Sequence, residues 1–252
     1  MEIRFGSFQI CAGRVKPKWP ERLVVVRHAQ SELNVARDLL EEGLADKLRQ
    51  LASVRDVDID ITGLGERQAD ETGKYLARMP RFDVCFTSPY KRAVRTAERI
   101  ATQLHYDIHI FKDYRLGEKE FGVLHGLTSD DIKEQFPHEY AARQRDGKYW
   151  HRLPGGENYP DVGRRVHEFM DKLVRDYGGR HVLVTTHHVP YLMFRALFEH
   201  LGEEEMLALS EVPNCGMQEY ILDTSRVPEG RMKLVDFNRV AYRVDGSLSI
   251  RA

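Results

Sequence analysis

Two short apolar runs, far apart in the chain, each lead directly into a histidine. The first run, LVVV, occupies residues 23–26 and is followed by Arg27 and His28. The second run, VLVTT, occupies residues 182–186 and is followed by His187. Runs of this length, rich in β-branched residues, are typical of strands buried in a parallel sheet. Because parallel strands end at the same edge of a sheet, we expect both imidazoles at one rim, with Arg27 beside the first.

Similar runs elsewhere predict further strands, and the stretches between them predict helices. The predicted strands are residues 23–26, 84–87, 108–111, 182–185, 219–222 and 232–237. An apolar stripe with helical spacing runs through residues 162–177 and ends at Gly178. A second helix is predicted over residues 66–79, and a third from Ser88, as N-cap, through Ile100. This alternation indicates an α/β fold with a mostly parallel sheet covered on both faces.

The length of 252 residues permits one large α/β domain or two small ones. We predict a single domain over residues 1–252, in which residues 1–21 form an N-terminal extension. Within that extension, residues 3–10 have a pattern that an added strand could adopt. Residues 120–160 are rich in charged and aromatic side chains and only weakly periodic. We therefore interpret them as a segment that covers the site, not as a second domain.

Composition argues against several classes of partner. The formal net charge is -1, which gives no electrostatic reason to expect binding to nucleic acid or to an anionic membrane. The three cysteines include no CxxC pair, which fits a reducing compartment. No long apolar run that would indicate a leader or a membrane span is visible. We expect a cytoplasmic protein; the oligomeric state cannot be read from the sequence, with a homodimer as one option.

The polar residues expected at the rim form a set that could transfer a phosphoryl group. Arg27 and Arg92 offer forked donors that match phosphate oxygens, and Arg92 falls in the first turn of its predicted helix, where an anion is favoured. Asn34 supplies a further neutral donor near His28. A neutral imidazole among these groups can attack phosphorus and hold it covalently, with His187 as a partner. This chemistry requires positioning and charge neutralisation but no metal.

The departing alcohol needs a proton, and the segment YRLGEKEFGVLHGLT, residues 114–128, offers two carboxyl groups. Glu118 is the favoured donor, because glycines on either side would let its loop fold over the pocket. Glu120 is the competitor, and the alternative reading for it is a solvated surface charge.

Taken in order, these motifs resemble those of the histidine phosphatase superfamily, also called the phosphoglycerate mutase-like family. The resemblance covers roughly residues 22–222, and although each motif alone is weak, the whole series in this order is specific. The matching positions are Arg27, His28 and Asn34; Thr62, Gly65, Gln68 and Ala69; Ser88, Pro89, Arg92, Ala93, Thr96 and Ala97; Leu116, Glu118 and Gly122; Gly156 and Glu157; and Thr186 and His187.

The resemblance implies a three-layer α/β/α sandwich with a mostly parallel central sheet. It also implies that His28 is the nucleophile, that Glu118 donates the proton, and that Arg27, Arg92 and His187 bind the phosphate.

Two positions depart from the pattern of the family. Ala29 stands where glycine is usual, and because alanine resists positive φ we expect an ordinary backbone angle there. His188 follows His187 where glycine is common, so its side chain should narrow or charge the rim. We assign Asn34 and His188 to substrate binding.

The same set of groups can run more than one reaction. Hydrolysis of the phosphohistidine makes a phosphatase, whereas transfer to a second hydroxyl makes a mutase. The Trp-rich segment that the mutase branch usually carries after its nucleophile has no counterpart in residues 35–60. We therefore predict a phosphatase that acts on a small phosphorylated substrate, with a phosphoglycerate mutase and a non-catalytic phospho-ligand binding member as alternatives.

A metal site is the weaker interpretation of the paired His187 and His188. Adjacent side chains on a strand diverge, and the sequence has no HExxH motif or carboxylate-rich ligand pattern. We expect neither a metal nor a cofactor. Lys148, His151 and Arg152, in the covering segment, are open to two interpretations: contact with a second anionic group of the substrate, or an ordinary surface role.

Overall fold

The computed structural model describes residues 17–41, 46–51, 53–209, 211–225 and 230–242. The predicted strand at residues 3–10 lies outside the described residues. Six strands form one sheet, in the order β3-β2-β4-β1-β5-β6. Their bounds are β1 Arg22–Arg27, β2 Val84–Thr87, β3 Ile110–Lys112, β4 His181–Thr186, β5 Met217–Asp223 and β6 Arg231–Arg239. All six predicted strands are therefore confirmed, with ends that differ by a few residues.

The central part of the sheet is parallel. Strands β3, β2, β4 and β1 pair in parallel, and β5 and β6 complete the sheet by antiparallel pairing. The carboxyl ends of β1, β2 and β4 consequently lie at one edge, where the sequence places its histidines and arginines.

Helices occupy the spaces between the strands. In the described residues they are α1 Glu32–Glu41, α2 Asp46–Leu51, α3 Gly63–Leu76, α4 Lys91–Gln103, α5 Ser129–Gln135, α6 Pro137–Trp150, α7 Tyr159–Asp176, α8 His188–Glu199 and α9 Glu203–Leu207. Short 3₁₀ turns add Asp56–Asp58, Tyr114–Leu116 and Gly122–Leu124.

Alternation along β1 explains the three layers. Leu23 and Val25 pack with α7 and α8 in one apolar cluster, whereas Val24 and Val26 pack with α3 and α4 in another. Successive side chains of a strand face opposite sides of the sheet, so a strand that is apolar throughout must be covered on both. The predicted α/β/α sandwich is confirmed.

Two predicted helix starts are wrong. The helix predicted over residues 66–79 is α3, which begins at Gly63, because the Thr62 side chain caps it by accepting from the backbone N–H of Gly65. Helix α4 begins at Lys91, and Tyr90, not Ser88, is its N-cap residue, with no side-chain cap. The Ser88 hydroxyl is instead 2.8 Å from Nε2 of His187. The residue that the sequence suggested as a cap therefore belongs to the rim, and the helix starts two residues later than the serine implied.

Candidate active site

The register of the central strands brings the predicted rim together. Arg27 on β1 pairs with Thr186 on β4, and the backbone N–H of His28 donates to the carbonyl of Thr186 at 2.8 Å. The backbone N–H of Ser88 donates to the carbonyl of Thr185 at 3.1 Å. Because three parallel strands end within this hydrogen-bonded ladder, His28, Ser88 and His187 follow one another across the same edge.

A second motif holds the loop that follows His28. The Thr62 hydroxyl donates to Oε1 of Gln30 at 2.8 Å, and the backbone N–H of Gln30 donates to Oε1 of Gln68 at 2.9 Å. A Cβ on Gly65 would lie 2.2 Å from the carbonyl oxygen of Gln30, so only glycine permits this approach. Ala29 has no positive φ, which confirms the expected ordinary backbone angle.

The two histidines are buried side by side. Their ring centroids are 5.1 Å apart, and His28 and His187 are 4% and 0% exposed. Nδ1 of His28 is 2.7 Å from the carbonyl oxygen of Ala29, so that nitrogen must donate and Nε2 keeps its lone pair.

Burial and neighbouring charge act on both rings in the same direction. Burial, then the positive charges of Arg92 and Arg27, hold the pKa of His28 well below its ordinary value of 6.5. Burial and the charge of Arg92 likewise hold the pKa of His187 well below that value. Both imidazoles are therefore neutral at neutral pH, which is the form in which a histidine is a nucleophile.

The two arginines of the rim have different partners. Nη1 of Arg27 donates to the carbonyl of Val212, and burial lowers the pKa of Arg27 while the charges of Glu118 and Glu211 oppose that change. Arg92 is 2% exposed and forms a two-pronged ion pair with Asp56. Its guanidinium also lies 4.8 Å from the ring centroid of Tyr90.

Glu118 is held by backbone groups at the start of α8. Its Oε1 accepts from the N–H groups of Lys119 at 2.8 Å and Val189 at 3.2 Å, and its Oε2 accepts from the N–H of His188 at 3.1 Å. These bonds fix the position of the Glu118 carboxyl group at the N-terminus of helix α8.

Arg165, on α7, is a positioning residue that the sequence reasoning missed. Its guanidinium donates to the carbonyls of Gly117 at 2.7 Å and Glu118 at 3.0 Å, and it pairs with the Glu157 carboxylate at 2.9 Å. One side chain thus anchors the loop that presents Glu118. The Gly-Glu motif at residues 156–157 was the available signal, but nothing local links it to a residue eight positions later.

Glu120, the competitor, has a different environment. It is exposed, and its carboxylate accepts a short hydrogen bond from the Tyr90 hydroxyl. Glu118 lines the cavity that opens at the rim, and Glu120 does not.

A cavity of about 220 Å³ opens above the rim. Its described lining includes Arg27, Glu118 and His188 but not His28, Arg92 or His187. The remaining lining residues are Arg37, Lys119, Phe121, Arg143, Lys148, His151, Leu153, Tyr159, Val189 and Glu211. Burial lowers the pKa of Lys119 to about 8. Six lining residues fall in the 120–160 segment, which therefore contributes much of the wall: Phe121, Arg143, Lys148, His151, Leu153 and Tyr159.

Of the other residues predicted to contact the substrate, some line the cavity and others bond only to neighbouring side chains. Lys148, His151 and His188 line the cavity, whereas the Arg152 guanidinium pairs with Asp161, Nε to Oδ2 at 2.7 Å. Asn34 uses its oxygen as an acceptor, from the Ser31 hydroxyl at 2.8 Å and from Nδ2 of Asn214 at 3.1 Å. Substrate contact by Asn34 and His188 stays a prediction.

The described ranges contain neither a cluster of metal-ligating side chains nor a helix suited to a membrane. They contain no group of three or more His, Cys, Asp or Glu side chains that could hold a metal ion. No described helix combines the length and apolar character needed to cross a membrane.

Comparison with known proteins agrees with this geometry. A family model for the histidine phosphatase superfamily (branch 1) matches residues 23–232. A bifunctional protein of Mycobacterium tuberculosis is 32% identical over 178 residues, which are 71% of this chain but only 44% of that protein. A 2,3-bisphosphoglycerate-dependent phosphoglycerate mutase of Cytophaga hutchinsonii is 32% identical over 222 residues, or 87% of this chain and 92% of that protein.

A solved structure shares the fold. A mycobacterial glucosyl-3-phosphoglycerate phosphatase, in a complex with VO3, superposes with a TM-score of 0.66 at 24% identity, covering 86% of this chain and 99% of that chain. The sheet order, the paired histidines at its edge and the family match over most of the length lead to one conclusion: the chain belongs to the histidine phosphatase superfamily.

Proposed function

We propose that the protein is a phosphomonoester hydrolase that acts through a phosphohistidine on His28. In this proposal Glu118 donates the proton to the leaving alcohol, and Arg27, Arg92 and His187 bind the phosphoryl oxygens. The observation that carries the proposal is the state of His28: its ring is buried and neutral, and Nδ1 bonds to the Ala29 carbonyl, so that Nε2 keeps a free electron pair.

The first step forms one bond and breaks another. The Nε2 electron pair attacks phosphorus, the bond between phosphorus and the ester oxygen breaks, and Glu118 transfers a proton to that oxygen. Two guanidiniums neutralise the equatorial oxygens as charge builds up. A neutral alcohol leaves, and the phosphoryl group remains on His28.

The second step regenerates the enzyme. Water attacks phosphorus, Glu118 accepts a proton from it, and the bond between phosphorus and Nε2 breaks to release inorganic phosphate. Hydrolysis, not transfer to a second hydroxyl, is favoured because residues 35–60 lack the Trp-rich segment typical of the mutase branch. Among the proteins of similar sequence or fold are both mutases and phosphatases.

We also propose that the substrate is a small phosphorylated molecule, not a nucleic acid or a membrane lipid. The described lining of the cavity carries five cationic side chains and two carboxylates, a balance that suits a small anion.

We propose that the reaction needs no metal and no cofactor, and that the protein acts in the cytoplasm. Full activity after treatment with a chelator would support a reaction that needs no metal. Loss of activity that zinc or manganese restores would overturn that statement.

The direct test is covalent labelling of His28. Mixing the protein with a ³²P-labelled phosphomonoester and quenching rapidly should trap a label that is stable in base and labile in acid. The label should disappear in His28→Ala and persist in His167→Ala, whose ring is 62% exposed on α7. Absence of label in the wild type, under conditions where the ester binds, would instead indicate a non-catalytic phospho-ligand binding protein.

A second assay separates hydrolysis from transfer. Release of phosphate from an aryl phosphate is compared with isomerisation of phosphoglycerate in the presence of a bisphosphorylated primer. The proposal predicts phosphate release without dependence on the primer. Robust primed isomerisation with negligible hydrolysis would identify a mutase instead.

A further inference from the structure

The two terminal nitrogens of the Arg92 guanidinium, its fork, already bind a carboxylate of the chain itself, that of Asp56. Nη1 of Arg92 donates to Oδ1 of Asp56 at 2.8 Å, and Nη2 donates to Oδ2 at 3.2 Å. Nη1 also donates to the backbone carbonyl of Asp56 at 2.6 Å. Two carboxylate oxygens on the two prongs of a guanidinium reproduce the way in which a phosphate would be held there.

The two partners differ in their freedom to move. Arg92 is 2% exposed, and its guanidinium lies against the ring of Tyr90, so its position is fixed by packing. The Asp56 side chain is 15% exposed and opens a short 3₁₀ turn between α2 and α3. Because only the Asp56 side chain reaches solvent, it is the partner that a competing anion would displace.

The pairing also agrees with where the open cavity ends. The described lining reaches Arg27 and Glu118 but does not include Arg92 or His28. A phosphoryl group that reached His28 would need the fork of Arg92, and it would bring a second negative charge against Asp56 in a poorly solvated place. Coulomb repulsion there is strong, so the two anions cannot share the fork.

We infer that Asp56 acts as an internal competitor that occupies the phosphate fork of Arg92 until a phosphoryl group displaces it. This inference rests on the proposed function, because it assumes that Arg92 binds the phosphoryl group. It makes Asp56 a residue that sets affinity and specificity: it neutralises a buried guanidinium in the free protein, and it admits only anions that hold Arg92 better than a carboxylate does.

The consequence is a lower apparent affinity for every phosphate-like ligand. When the competent state is only a fraction of the population, the apparent Kd rises in inverse proportion to that fraction. A carboxylate that holds the fork about nine-tenths of the time would therefore weaken phosphate binding about tenfold.

The test compares Asp56→Asn with Asp58→Asn. Asp58 lies in the same 3₁₀ turn, but its carboxylate pairs with the exposed Arg55 at 2.7 Å, which makes it a matched control. The dissociation constants of inorganic phosphate and of orthovanadate are measured by calorimetry, without turnover. Both should fall about tenfold in Asp56→Asn and change less than about twofold in Asp58→Asn. Unchanged or weaker binding in Asp56→Asn would show that Asp56 only positions Arg92, and would overturn the inference.

Two further results separate this inference from the proposed function. Tighter phosphate binding in Asp56→Asn without hydrolysis by the wild type would sustain the inference and reject the phosphatase. Normal hydrolysis by the wild type, with phosphate binding unchanged in Asp56→Asn, would support the phosphatase and reject the inference. If the variant does not fold, a crystal structure of the wild type with vanadate decides: the anion should lie on Arg92 with Asp56 turned away, and an intact pair between Arg92 and Asp56 would refute the displacement.

Discussion

The inner and outer ends of the site are built in opposite ways. At the inner end, His28, Arg92 and His187 are all buried. Each has a hydrogen-bond partner, which is the Ala29 carbonyl for His28, the Asp56 carboxylate for Arg92 and the Ser88 hydroxyl for His187. At the outer end, Arg37, Arg143 and Lys148 are exposed cations of the cavity wall, and none forms an ion pair with another described residue.

This contrast separates the chemistry from the selection of substrate. Charges held in a buried site interact strongly and need no rearrangement when the reaction occurs. Exposed charges are screened by salt and act weakly over a wide area. The inner end should therefore fix which bond is broken, and the outer end should adjust which phosphorylated molecule is preferred.

The largest effect after loss of the nucleophile should come from Arg92→Lys. The ammonium retains the charge but cannot present two parallel donors, so kcat/KM should fall by about 10²-fold or more. The control is Arg95→Lys on the same helix, where the side chain is 42% exposed and pairs with Glu66, and where the effect should be about twofold at most. Similar activities of the two variants would argue against a two-pronged role for Arg92.

Replacement of the proton donor should have an effect that depends on the leaving group. Glu118→Gln should slow an alkyl phosphate by about 10²-fold and an aryl phosphate much less, because a good leaving group needs no proton. Glu120→Gln, which keeps an acceptor for the Tyr90 hydroxyl, should slow both slightly. Thermal unfolding serves as the control, since glutamine at position 118 also loses acceptors for backbone N–H groups. The reverse ranking would make Glu120 the acid.

The pH profile should show how strongly the inner end perturbs its nucleophile. His28 must be neutral to attack, and its pKa lies well below 6.5, so kcat/KM should remain high through pH 6.5 and fall only at lower pH.

The same lowering of the histidine pKa should destabilise the fold in acid. Below pH 6.5 the unfolded chain binds protons that the buried rings of His28 and His187 exclude, so the free energy of unfolding should decrease as pH falls. An NMR titration of His28 at or above 6.5 would contradict both expectations.

The same contrast explains what could be predicted from the sequence. The inner end follows from patterns that are local: apolar runs that end in histidine give both the strands and the edge where the reacting groups meet. Arg165 and Asp56 could not be found in this way. The site groups that they hold, the Glu118 carbonyl and the Arg92 guanidinium, lie tens of residues away, and neither position belongs to a periodic pattern. The wrong start of α4 has a related cause, since Ser88 fits a cap by local rules but bonds to His187, which follows strand β4.

The smallest effect should appear at the outer end. For a phosphomonoester whose leaving group is anionic, Arg143→Gln should raise KM by about two- to fivefold and leave kcat unchanged. For a phosphomonoester whose leaving group is neutral, neither constant should change. Arg145→Gln is the matched control, because that exposed side chain pairs with Asp146 and does not line the cavity. The difference between the two variants should shrink as ionic strength rises, since the Debye length falls to about 3 Å at 1 M salt. A change in kcat, or an effect that salt does not weaken, would mean that Arg143 acts on the reacting phosphoryl group, and the division between the two ends of the site would fail.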